Sequence, residues 1–129
     1  RPDGIAHVAI VATGALVAYA LRVAKDLADK HIKVVVVNIH TIKPLDVELI
    51  TTVAKETKAV VTVEEHQIAG GLGGAVAEAL AQHYPVPIEF VGVHDQFGQS
   101  GTPNQLIEHY GMGRGGITVA VMKVIERKR

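Results

Sequence analysis

The feature that most constrains this chain is a series of short apolar runs, each followed by a turn and a stretch of helical periodicity. Ala6-His7-Val8-Ala9-Ile10-Val11-Ala12, Lys33-Val34-Val35-Val36-Val37-Asn38-Ile39, Val60-Val61-Thr62-Val63 and Ile88-Glu89-Phe90-Val91-Gly92-Val93 are dense in Val and Ile. β-Branched residues at successive positions suit strands of a parallel sheet covered by helices on both faces. Between the runs, Leu16, Val17, Ala20, Leu21, Ala24, Leu27 and Ala28 recur at i, i+3 and i+4, predicting an amphipathic helix. Asp46 is placed to cap a second helix carrying Leu49, Ile50, Val53 and Ala54 on one face. A third helix turns Leu72, Val76 and Leu80 inward and Glu78 and Gln82 outward. Strands alternating with helices through right-handed crossovers predict a three-layer α/β/α sandwich with a mainly parallel sheet. The flavodoxin-like version has the order 2-1-3-4. The unbroken valines predict a second strand buried on both faces, and the alternation of Ile88 to Val93 predicts an edge strand.

Beyond that strand, Thr102-Pro103-Asn104-Gln105 has the chemistry of a helix start, and Gly111 can end the short helix. In the last segment Ile117, Ala120, Val121, Val124 and Ile125 fall at helical spacing, although their branching also suits a strand. At the other end Pro2-Asp3-Gly4 is a turn signal with no strand before it, which hints at a piece of something longer.

Composition narrows the function classes. The 129 residues carry 13 Lys and Arg against 13 Asp and Glu, so no net field steers the chain onto nucleic acid or anionic lipid. That size predicts one domain spanning 1–129. Cysteine is absent, which removes disulfides, thiolate metal ligands and thiol nucleophiles. With no apolar run approaching the length of a membrane span, a cytoplasmic location is expected and no membrane partner.

The candidate site lies where the third strand ends in Glu64, Glu65 and His66 and a glycine cluster, Gly70-Gly71-Leu72-Gly73-Gly74, opens the next helix. In the order 2-1-3-4 the topological switch point lies between the ends of the first and third strands, which brings Thr13 and Gly14 to the same crevice. The fourth strand leads to a polar loop, His94-Asp95-Gln96-Phe97-Gly98-Gln99-Ser100-Gly101, at the same rim. Backbone amides at a glycine-rich helix start can hold a phosphate. The cluster nevertheless departs from the dinucleotide pattern, with Val76 at the third small position, and a P-loop is not present. Adjacent strand residues point to opposite faces, so Glu65 is separated in direction from Glu64 and His66. Glu64 and His66 can converge, as a cluster satisfying loop amides, as an acid/base pair or as a contact surface, but two ligands make no metal site. Ser100 lacks the strand-to-helix elbow of a serine nucleophile.

Val11-Ala12-Thr13-Gly14, Thr41-Ile42-Lys43-Pro44-Leu45-Asp46, Val63-Glu64-Glu65-His66, Gly70-Gly71-Leu72-Gly73 and Asp95-Gln96-Phe97-Gly98-Gln99-Ser100-Gly101, taken as an ordered set, resemble the C-terminal domain of the transketolase family. The likeness runs from about Ala6 to the end of the chain. The Glu-Glu-His ending and the Phe-Gly-x-Ser-Gly loop lean toward transketolase and its separately encoded C-terminal subunits. The equivalent domains of 1-deoxy-D-xylulose-5-phosphate synthase and of the 2-oxoacid dehydrogenase β subunits are the alternatives. The resemblance implies a mixed five-stranded sheet whose antiparallel strand precedes the first run found here. It also implies an enzyme of two-carbon ketol transfer between sugar phosphates, as in pentose phosphate metabolism, using thiamine diphosphate and a divalent metal. In that family those groups are held by upstream domains across a dimer interface, so the expected partners are those domains or a separate subunit, within a homo-oligomer. No catalytic residue, metal ligand or cofactor contact is carried onto this chain. Thr13, Gly14, Glu64, Glu65, His66, Gly71, His94, Asp95, Phe97 and Ser100 are expected as binding or domain-contact positions. A reading from a different class is a free-standing module that binds a small anionic metabolite in the same crevice.

Overall fold

The computed structural model describes residues 6–14, 16–40, 44–65, 71–93 and 114–128. Its elements run β1 (Val8–Ala12), α1 (Leu16–Ala28), β2 (Val34–Asn38), α2 (Val47–Thr57), β3 (Val60–Glu65), α3 (Leu72–His83), β4 (Ile88–Val93) and α4 (Arg114–Arg127). The strands form one sheet in the order β2-β1-β3-β4, and every pairing is parallel. The antiparallel strand that the resemblance implies is not among the described residues. The short helix expected after Thr102 also lies outside them. The last segment, where Val and Ile left two readings open, is the helix α4.

Each face of the sheet buries its own apolar cluster. On one side Val8, Ile10, Ala12, Val61 and Val63 meet Leu16, Ala20, Val23 and Leu27 of α1 and Ile117, Val121 and Val124 of α4. On the other, Ala9, Val11, Val37, Ile39 and Val60 meet Ile50, Val53 and Ala54 of α2 and Leu72, Val76 and Leu80 of α3. Removing a Val, Leu or Ile side chain from water contributes about 1.5–3 kcal/mol, so two such layers on one sheet explain why its central strands are apolar throughout. β1 is that case, buried at all five positions.

Three expectations are corrected. β2 is not buried on both faces: Val34, Val35 and Val36 are half-buried because the strand lies at the edge of the sheet, where the helices cover it only in part. In α1 the buried stripe runs through Val23, whereas Leu21 is 54% exposed and Ala28 is exposed. In α2 Leu49 lies on the rim of the apolar face, 39% exposed. Both helices carry more apolar residues than one contact can cover, and packing, not periodicity, selects which of the adjacent stripes faces the sheet.

Candidate functional site

At its end β3 becomes polar while still paired, because Glu64 and Glu65 stand opposite Gly92 and Val93 of β4. Alternation along the strand puts Glu64 on the side of Val60 and Thr62, the face covered by α3. There its side chain is 8% exposed. Its two carboxylate oxygens accept one hydrogen bond each, from the Leu72 amide at 2.9 Å and from the Gly73 amide at 2.7 Å. These are the first amides of α3, whose N-cap, Gly71, offers no side chain and whose first turn contains no acidic residue. A negative charge here satisfies orphan donors and meets the positive end of the helix dipole. The glycine is part of the geometry: a Cβ on residue 73 would stand 2.7 Å from Glu64 Oε2, 2.9 Å from the Phe90 ring and 3.3 Å from Thr62 Oγ1. Thr62 is fully buried, and its hydroxyl has no hydrogen-bond partner among the described residues.

Across the crevice, Ala12 pairs with Val63, so Thr13 and Gly14 follow β1 beside Glu64. Thr13 is half-buried and Gly14 exposed, with φ +57°, a left-handed turn that glycine allows without strain. Their carbonyls accept from Leu16 and Val17 at 3.2 Å, starting α1. The structure therefore brings Thr13, Gly14, Glu64 and Gly71 to the carboxyl ends of β1 and β3. Glu65 is placed as the last residue of β3, and nothing is described of its side chain. His66, His94, Asp95, Phe97 and Ser100 lie outside the described residues. An open groove of about 320 Å³ is elsewhere, lined by Pro44, Leu45 and Val47 with Ala75, Glu78 and His83 of α3.

Sequence reasoning found Glu64 but not its partners. The signal was a helix opening on Gly71 without a capping side chain, eight residues after a carboxylate at the end of the preceding strand. Among the described residues no group of three or more His, Cys, Asp or Glu is arranged to hold a metal ion. With the Glu64 carboxylate turned onto α3, the described part of the crevice does not fit a metal–diphosphate site.

The model of the family "Transketolase, C-terminal domain" matches residues 4–117. The 6-deoxy-6-sulfo-D-fructose transketolase subunit of Clostridium sp. (strain MSTE9) is 46% identical over 121 residues, which cover 94% of this chain and 38% of that protein. An apulose-4-phosphate transketolase subunit of Phocaeicola vulgatus is 36% identical, over 92% of this chain and 38% of its own length. The 1-deoxy-D-xylulose-5-phosphate synthase of Symbiobacterium thermophilum is 37% identical, over 96% of this chain but 19% of its own. Among solved structures, a split-gene transketolase in an inactive β4 tetramer superposes with a TM-score of 0.89 at 47% identity, covering 98% of this chain and 41% of that one. The chain thus spans well under half of each of these proteins, over a stretch that holds the four-stranded sheet and its flanking helices. It belongs to the transketolase C-terminal domain family.

Proposed function

We propose that this chain is the C-terminal section of a transketolase-like, thiamine-diphosphate-dependent enzyme that moves two-carbon ketol units between sugar phosphates. Its part is architectural: it supports assembly and does not catalyse alone. The observation that carries this reading is the use made of the crevice carboxylate. Glu64 is spent on the amides of its own α3, where a catalytic acid or metal ligand would have to face outward. Relatives named as transketolase subunits, each more than twice the length matched here, support the placement of the chemistry in other domains or another subunit.

In this reading thiamine diphosphate and its divalent metal belong to those companions, and the chain meets them through its rim. Thr13, Gly14, Glu65 and Gly71, together with His66, His94, Asp95, Phe97 and Ser100, form the contact surface. Glu64 stiffens it from beneath. A homo-oligomeric assembly in the cytoplasm completes the proposal, and the relative described as a β4 tetramer supports self-association. Within the family, the relative named as a transketolase subunit at 46% identity favours ketol transfer over the deoxyxylulose-phosphate synthase alternative, whose representative is 37% identical.

The test is complementation. The chain is assayed for ketol transfer from a ketose phosphate to an aldose phosphate with thiamine diphosphate and magnesium, first alone and then with the cofactor-binding polypeptide of its source. No turnover alone and turnover on mixing are expected. Turnover by the lone chain, or a mixture that stays inactive although the two parts form a complex, would refute the proposal.

A further inference from the structure

The geometry points to an anion site at the N-terminus of α3 that the chain fills with its own Glu64. A helix start with free amides and no local cap binds phosphates and carboxylates. Here each oxygen of one carboxylate takes one amide, at 2.9 and 2.7 Å, as a bidentate ligand would. Two further features make this more than a helix end. Residue 73 is a glycine whose Cβ, if present, would stand 2.7 Å from the bound oxygen, so the backbone is bared on the side where the anion sits. The buried, unpartnered hydroxyl of Thr62 lies 3.3 Å from that same Cβ position, converging on it from the sheet. The result is a cradle of two amides and a hydroxyl, closed by a carboxylate delivered from β3.

A self-filled cradle has a consequence for ligand choice. Phosphate esters gain nothing at this corner, because an intramolecular carboxylate competes at high effective concentration and its negative charge repels them. The glycine cluster that invites a phosphate in the sequence is thus closed in the folded chain, and the free-standing anion-binding reading loses its best amides. Truncating Glu64 leaves a vacancy the size of a small carboxylate. This inference rests on the geometry of β3 and α3 alone and holds whichever enzyme the domain serves.

Thermal unfolding of the chain and of Glu64→Ala, in chloride, formate and phosphate at matched ionic strength, tests it. In chloride the variant should melt roughly 5–10 °C below the unsubstituted chain. Formate should restore at least half of that loss, saturably, while moving the unsubstituted chain by no more than the general salt effect. Phosphate should act similarly but less, since the space that Glu64→Ala vacates is the size of a carboxylate and a phosphate is bulkier. A folded variant that no anion rescues, or an unsubstituted chain that formate and phosphate stabilise equally well, overturns the inference. Should the variant fail to fold, the unsubstituted chain still decides: the amide proton resonances of Leu72 and Gly73 should stay in place through a phosphate titration, and their saturable displacement would sink the idea.

Discussion

Two helices on the same face of the sheet solve the same problem differently. α2 is capped from within its own sequence, Asp46 Oδ1 accepting from the Leu49 amide at 3.0 Å, three residues on. α3 has glycine at the equivalent place and borrows Glu64 from the strand before it, eight and nine residues back. The first cap is exposed and holds whenever the helix forms. The second is buried and exists only once β3 is laid into the sheet and α3 is packed across it. A local cap stabilises an element, whereas a tertiary cap ties two elements together, and in this chain the tie lies at the crevice that topology reserves for ligands or partners.

Glu64→Ala removes a buried carboxylate and leaves two buried amides unpaired, with an expected loss of about 2–3 kcal/mol in denaturant unfolding. A loss below that of the Asp46 cap would contradict the assignment. Gly73→Ala tests the same contact from the other side. In an ordinary helix the change helps by about 1 kcal/mol, but here the new methyl meets Glu64 Oε2 and the Phe90 ring, so a net destabilisation of about 1 kcal/mol is expected. Combined with Glu64→Ala, the same substitution should turn neutral or favourable, and a double-mutant cycle without that sign change would show the two residues to be uncoupled. Asp46→Ala should cost about 1 kcal/mol and act additively with Glu64→Ala, since the caps share no partner.

The smallest effect concerns the opposite end of the sheet. Lys128 donates to the His7 carbonyl at 2.7 Å, and burial lowers its pKa below the usual lysine value. The unfolded chain therefore holds this proton more tightly than the folded one, and stability should rise with pH as Lys128 discharges, over a window ending near pH 10.5. Lys128→Met should flatten that slope, measured as unfolding midpoint against pH on the alkaline side up to 10.5.

How far the sequence could be read follows from the same contrast between local and tertiary causes. The strands were legible, because runs such as Val8 to Ala12 and Val60 to Val63 serve no other element as well, and the Asp46 cap was legible because its donor is three residues away. The half-exposure of β2 was not, since four valines look the same at an edge as in the interior, although the expected order 2-1-3-4 already put that strand at an edge. Nor was the stripe of α1, where Val23 faces the core in place of Leu21, because alanines widen the apolar surface beyond what the sheet covers. At the crevice the residues could be named, and the satisfaction of nearby amides was one of three uses left open, but the particular amides could not be named. The uncapped start of α3 eight residues after Glu64 was a signal, but whether Glu64 faces outward or turns onto Leu72 and Gly73 depends on how α3 lies across β3, which spacing alone does not decide.

If the chemistry lies in companion domains, as proposed, calorimetry will find no cofactor bound to this one. Thiamine diphosphate with magnesium titrated into the chain should give only the heat of dilution, with the Leu72 and Gly73 amides unmoved. A saturable, stoichiometric heat would place the cofactor on this domain and contradict the account.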